Sequence, residues 1–108
     1  MKASEIRRLV AAGRYEFSGH AQQERLEDDL DVLEIEQALL SGDILEEYPD
    51  DPRGESCLML GFAGDKPIHA VVGWASKRGA VRRTLRVITV YAPQPPKWID
   101  PRTRGVKS

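Results

Sequence analysis

The chain has 108 residues, of which 41% are hydrophobic and 31% charged, and its formal net charge is −1. This composition is typical of one small globular domain, so we expect a single domain over residues 1–108. No apolar run approaches the roughly 20 residues of a membrane helix, and the start of the chain lacks the apolar segment of a signal peptide. The lone cysteine, Cys57, excludes an internal disulfide. We therefore expect a cytoplasmic protein without a membrane partner.

Charge is divided unevenly along the chain. Residues 1–65 contain 6 Lys and Arg against 16 Asp and Glu, whereas residues 66–108 contain 10 Lys and Arg against a single Asp. The two parts carry formal charges of −10 and +9. Two interpretations remain open: a basic surface that binds an anion, or mutual attraction of the two parts within one fold.

Helical patterns fill most of the first 42 residues. Ser4, Ser18 and Asp31 are typical helix caps, because their side chains accept hydrogen bonds from first-turn amides. Gly13 and Gly42 are typical residues for helix ends. The predicted helices cover residues 4–13, 18–29 and 31–42, and a brief extended piece is expected at 14–17.

The pattern then changes to strands separated by short turns. Strands are predicted over residues 43–48, 56–63, 68–75 and 84–91, followed by an irregular proline-rich tail from about residue 92 that Trp98 anchors. Helices followed by closely connected strands indicate an α+β domain. We expect two or three helices on one face of a four-stranded antiparallel meander, with the other face partly open.

His20 is the first candidate for chemistry. With Ser18 as the cap, His20 lies in the first helical turn, where the helix dipole disfavours the charged imidazolium. A neutral imidazole at pH 7 can act as a general base. The alternative is a histidine that only hydrogen-bonds a neighbouring loop.

A metal site is the second interpretation of the histidines. Glu24 lies one helical turn after His20, and together with His69 the two would form a known ligand set. The His-x-x-x-Glu spacing is common, however, and no second histidine shares the helix. We therefore predict no metal and no cofactor.

Three further residues are candidates for a site. His69 alternates along its strand with the bulky apolar residues, so it is expected on the open face or at the sheet edge. Tyr91 ends the last strand, where its phenol can donate a proton, stack on a base or close the core. Arg25 can reach a site or pair with Asp28 and Asp29 on the helix surface.

Basic residues are concentrated around the last strand. No acidic residue occurs from residue 66 to residue 99, which favours phosphate contacts. Strict strand alternation separates Arg86 from Tyr91, so both face one site only if a bulge intervenes. The candidate nucleic-acid-binding residues are Lys77, Arg82, Arg83, Arg86 and Lys97.

These motifs together resemble a bacterial family, the domain of unknown function 4258. The resemblance covers about residues 4 to 104. It is carried by Phe17-Ser18-x-His20-Ala21-x-x-x-Arg25, Ala38-Leu39-x-x-Gly42, residues 44–51, 56–61, 66–72 and 88–93, and Lys97-Trp98.

The resemblance implies a relationship to the RelE/BrnT/MqsR-type toxins of toxin–antitoxin pairs. It then implies a RelE-like fold, metal-independent cleavage of mRNA and an antitoxin protein as partner. In that interpretation His20 or His69 is the acid or base, Arg86 or Arg25 stabilises the phosphate, and Tyr91 donates a proton or stacks. The pI of about 6.1 departs from such basic toxins. The alternative is a non-catalytic protein-interaction module of the same fold, whose acidic helices dock a partner.

Overall fold

The computed structural model describes residues 1–76 and 82–105, which form three helices, a five-stranded mixed sheet and a two-stranded hairpin. The α+β class is confirmed. No helix within these residues is long and apolar enough to cross a membrane. In chain order the elements are α1 (Ala3–Ala11), β1 (Tyr15–Phe17), α2 (Gly19–Glu27), α3 (Val32–Ser41), β2 (Asp43–Tyr48), β3 (Ser56–Ala63), β4 (Lys66–Trp74), β5 (Leu85–Tyr91), β6 (Trp98–Asp100) and β7 (Thr103–Arg104).

The main sheet has one strand more than the sequence predicts. Its order is β1-β5-β4-β3-β2, and the four predicted strands form the expected antiparallel succession. The prediction of a purely antiparallel four-stranded sheet is wrong, because β1 pairs in parallel with β5, with Tyr15 opposite Leu85. Three residues are too few to establish a strand by periodicity, and the partner of β1 lies at the other end of the chain.

Two of the three predicted helix caps are confirmed. The Ser18 hydroxyl accepts from the backbone N–H of Ala21 at 3.0 Å, and Asp31 and Glu34 form a reciprocal capping box. The prediction for Ser4 is wrong, since α1 begins one residue earlier and Lys2 occupies the cap position without a side-chain bond.

The helices cover one face of the sheet. Apolar residues of α1 and α3, including Ile6 and Ile35, form a buried core with the Cys57 and Met59 side of β3. Gly61 permits close contact between α3 and β3, because a Cβ at this position would lie 1.7 Å from the carbonyl oxygen of Ala38. Helix α3 therefore packs directly on β3, the strand next to the edge strand β2.

The second face is covered only in part, by the C-terminal segment. On this face Leu58 and Leu60 of β3 and His69 of β4 are 1%, 2% and 0% exposed, and none of them belongs to the core beneath the helices. The chain from residue 92, predicted to be irregular, includes the β6–β7 hairpin, and Trp98 in this hairpin is 2% exposed. We call residues 92–105 the tail. It leaves a cleft along the uncovered part of this face.

Candidate active site

The cleft on the second face has two compartments. The larger, of about 990 Å³, lies beside the tail, and the smaller, of about 570 Å³, lies beside the β2–β3 loop. His20 and Thr89 line both. We call the larger one the tail-side compartment, and its further lining residues include Glu24, Tyr91, Gln94, Pro95, Pro96 and Lys97. We call the smaller one the loop-side compartment, and its further lining residues include Tyr48, Asp51, Arg53, Ser56, Trp74 and Arg86.

A bulge in β5 brings the candidate residues of that strand to one face. Arg86 lies opposite Gly73, and Tyr91 lies opposite His69, but the register shifts in between so that Ile88 has no partner on β4. The extra residue reverses the alternation, and Arg86, Thr89 and Tyr91 consequently share the cleft face. The bulge that Arg86 and Tyr91 need in order to lie on one face of the sheet is thus present.

The same bulge anchors the start of α2. The Ser18 hydroxyl donates to the carbonyl oxygen of Ile88 at 2.8 Å, and the Ser18 backbone N–H bonds the Val87 carbonyl at 2.9 Å. Ser18 therefore both caps α2 and attaches it to β5. This attachment places His20, two residues later, where the two compartments meet.

The imidazole of His20 lies beside a carboxylate that is fixed to the sheet. Its Nε2 lies 3.3 Å from Oε1 of Glu24, and the same oxygen accepts the backbone N–H of Val90 at 3.1 Å. The His20 side chain remains 67% exposed, whereas Glu24 is 22% exposed. A carboxylate that is fixed to the sheet can orient an imidazole whose other nitrogen, Nδ1, remains available to a substrate.

His69 has a different environment, beneath the tail. Its Nε2 lies 2.7 Å from the Pro101 carbonyl oxygen, and its Nδ1 lies 3.1 Å from the Tyr91 hydroxyl. Because a carbonyl only accepts, Nε2 carries the hydrogen and Nδ1 accepts from Tyr91. Burial lowers the pKa of His69 and raises that of Tyr91. His69 is thus a neutral, fully bonded residue that fixes Tyr91 in the wall of the cleft.

An ion pair fastens the tail to the sheet. The Arg104 guanidinium donates to both carboxylate oxygens of Glu46, at 2.8 and 2.6 Å, and the Tyr48 hydroxyl donates to the same carboxylate at 2.5 Å. The hydrogen bonds from Arg104 lower the pKa of Glu46 to about 2. Arg104 also lies over the Trp98 ring, 4.7 Å from its centroid.

Most described cations of the basic part are paired with acidic residues of the first part. Arg86 contacts Glu16 at 3.1 Å, and Arg83 contacts Glu5 at 3.3 Å while lying over the Trp74 ring. Across residues 1–76 and 82–105, ion pairs joining the two parts are Lys66–Glu34, Arg83–Glu5, Arg86–Glu16, Arg102–Asp43 and Arg104–Glu46. The opposite charges of the two parts of the chain therefore largely pair with each other within the fold.

The other predicted residues occupy separate places. Arg82 and Lys97 are exposed, and Lys97 lines the tail-side compartment. Arg25 donates to Gln22 Oε1 at 2.6 Å and to the Leu30 carbonyl at 3.3 Å, so it supports the connection between α2 and α3. Asp28, which we considered as its partner, accepts the Ala92 N–H instead. Lys77 lies outside the described residues.

The alternative metal set of His20, Glu24 and His69 is not assembled. Both nitrogens of His69 already have partners, and His69 lines neither compartment of the cleft. Within the described parts of the chain, no cluster of three or more His, Cys, Asp or Glu side chains has the arrangement of a metal site.

Sequence reasoning missed two structural roles near the cleft. Glu24 was considered only as a metal ligand, although it joins α2 to β5 and contacts His20. Glu46 and Arg104 were not paired in the prediction, because nothing in the local pattern indicates that the tail returns to β2. The available signal was that Glu46 lies on an edge strand, opposite Leu58 and on the face of the sheet that the tail covers.

The domain of unknown function family DUF4258 matches residues 17–92, which include the last residue of β1, α2 with His20, α3 and all of β2 to β5. The match covers more than half of the chain, and the protein belongs to this family. Neither the curated proteins nor the solved structures provide a match.

Proposed function

We propose that this protein is a cytoplasmic, metal-independent endoribonuclease, related to the RelE/BrnT/MqsR-type toxins, with an antitoxin as its partner. The observation that carries the proposal is the exposed imidazole of His20, which lies 3.3 Å from the Glu24 carboxylate and where both compartments of a surface cleft meet. Such an imidazole is suited to general-base catalysis.

The chemistry assigned to this site is transesterification within RNA. His20 removes the proton from a ribose 2′-hydroxyl through Nδ1, while Nε2 stays beside the Glu24 carboxylate. The 2′-oxygen forms a bond to the adjacent phosphorus as the bond from phosphorus to the 5′-oxygen breaks. Water protonates the leaving 5′-oxygen, and the resulting hydroxide takes the proton from His20. The products are a 2′,3′-cyclic phosphate and a 5′-hydroxyl.

Stabilisation of the phosphate is assigned to Arg86, which faces the cleft from β5. Arg86 lines the loop-side compartment, and its pairing with Glu16 is half exposed, so the guanidinium can be shared with a substrate phosphate. Positioned cations of this kind stabilise charge that develops in a transition state. Arg25, whose donors bond within the helical layer, is not assigned a role in the reaction.

The proposal is tested by incubating the purified protein with single-stranded RNA in EDTA. We expect cyclic-phosphate products from the wild type and a loss of at least about 100-fold in rate for His20→Ala. Asp65→Asn, in the exposed turn before β4, is the control and should cleave normally. Intact RNA with the wild type would remove the enzymatic function, and dependence on added metal would contradict the mechanism.

One observation favours the alternative of a non-catalytic protein-interaction module. Leu33 and Leu40, two turns apart on α3, are 72% and 42% exposed, while the pairing of most described cations reduces the basic surface. A partner that covers α3 would bury both leucines. A protein with no RNA cleavage whose partner binding is lost in Leu33→Asp would support this function instead.

A further inference from the structure

The tail-side compartment has the size and composition of a ligand site. Its volume of about 990 Å³ is at the upper end of the range for small-molecule sites, roughly 300–1,000 Å³. Tyr91 and the two prolines Pro95 and Pro96 supply flat apolar surfaces, and the Gln94 side chain can both donate and accept hydrogen bonds. A planar, polar-edged group such as a nucleobase matches these walls.

The charge of the compartment points to a phosphate as well. Arg104 is engaged by Glu46 through two hydrogen bonds, and Glu24 faces His20. Lys97 is exposed, and within residues 1–76 and 82–105 it has no carboxylate at ion-pair distance. Among the described residues that line this compartment, Lys97 is thus the cation that can bind an anion without breaking an ion pair.

The position of Tyr91 is fixed before any ligand arrives. Its hydroxyl is bound by His69, which the Pro101 carbonyl holds in turn, so the ring does not lose rotational freedom when a base stacks on it. Tyr91 and His20 line the same compartment, so a base on Tyr91 lies next to the general base.

We propose that the tail-side compartment is a nucleotide subsite, which holds one unpaired base and its phosphate beside His20. This inference rests on the proposed function and specifies its substrate: a single-stranded RNA segment with one base bound by Tyr91 and the tail and its phosphate bound by Lys97. A base within a duplex is stacked and paired, and it cannot enter such a compartment without being unstacked.

The test measures binding of a fluorescent single-stranded thymidine tetradeoxynucleotide, which lacks the attacking 2′-hydroxyl and cannot be cleaved by this mechanism. We expect Lys97→Ala and Tyr91→Leu each to weaken binding by about tenfold, and Lys97→Ala to reduce the salt dependence by about one phosphate contact. Lys66→Ala, which removes an equal charge beside Glu34 on α3, is the matched control and should bind normally.

Three further probes separate the contributions. An abasic tetranucleotide should bind weakly and be insensitive to Tyr91→Leu, and a duplex and inorganic phosphate should bind weakly to every variant. Equal binding of the abasic and thymidine probes, or equal effects of Lys97→Ala and Lys66→Ala, would overturn the subsite. Binding without RNA cleavage would instead remove the proposed ribonuclease and retain the subsite as a nucleic-acid-binding site.

Discussion

The imidazole Nε2 of His69 lies 2.7 Å from the carbonyl oxygen of Pro101, and this bond joins the centre of the sheet to the tail. The ring is fully buried and packs edge-on against Trp98, with 4.4 Å between ring centroids. Because the other nitrogen accepts from Tyr91, one histidine fixes both the cover of the sheet and the wall of the cleft.

Replacement of His69 by alanine is expected to destabilise the protein by about 2–4 kcal/mol, through a cavity and the loss of partners for buried polar groups. Urea denaturation measures the change. His20→Ala is the matched control, since that side chain is exposed, and it should alter the free energy of unfolding by less than about 0.5 kcal/mol. Equal effects of the two substitutions would contradict the structural role of His69.

Acid is expected to release the tail. Since Arg104 lowers the pKa of Glu46 from 4.5 to about 2, this carboxylate contributes its full stabilisation above the unfolded value and loses it as the pH falls toward about 2. Trp98 fluorescence in a Trp74→Phe background follows the release. In Glu46→Gln the tail should be looser already at neutral pH, and its acid transition should diminish. An identical acid transition in both proteins would show that another group controls the tail.

Glu24 is expected to act through His20. Glu24→Ala should lower kcat for RNA cleavage by about 10- to 100-fold and change the pH–rate profile, because the imidazole loses its orienting carboxylate. KM should change little, since Glu24 is not assigned a contact with the phosphate. Glu27→Ala removes an equal charge from the same helix and is the control. A changed KM with an unchanged kcat and pH profile would place Glu24 in substrate binding.

Gly61→Ala tests the contact between helix and sheet. The added methyl group would meet the Ala38 carbonyl, so α3 must move, and we expect a loss of about 1–3 kcal/mol. Gly19→Ala is the control, because a Cβ there has no neighbour within 4 Å and Gly19 begins α2. That substitution should be neutral or slightly stabilising, by up to about 1 kcal/mol. Urea unfolding of both variants provides the comparison.

The elements with strong local signals were predictable from the sequence. Ser18 and Asp31 cap their helices as predicted, because an N-cap depends on a few consecutive residues. The strands of the antiparallel succession were also predicted, since short turns separate them. A brief extended piece at 14–17 was predicted where β1 lies, but its pairing in the sheet was not, because that pairing depends on a contact between distant parts of the chain.

The site was harder to predict than the elements that carry it. His20 and Tyr91 were named from the sequence and line one compartment. His69 was expected on the open face, but no local pattern indicates that the tail covers it. The bulge at Ile88 decides which β5 residues share a face, and alternation alone assigns Arg86 and Tyr91 to opposite sides.

The parallel pairing of β1 with β5 has a consequence for synthesis on the ribosome. Residues 15–17 are made early, but they acquire a partner only after residues 85–87 have been translated. The hydrogen bonds of Ser18 with Ile88 and of Glu24 with Val90 likewise form only after these β5 residues have been translated. The nascent chain can form its helices and the β2–β4 strands first. The histidine at the cleft is therefore positioned only after residues 85–90 have emerged, so the proposed catalytic arrangement cannot assemble before that point.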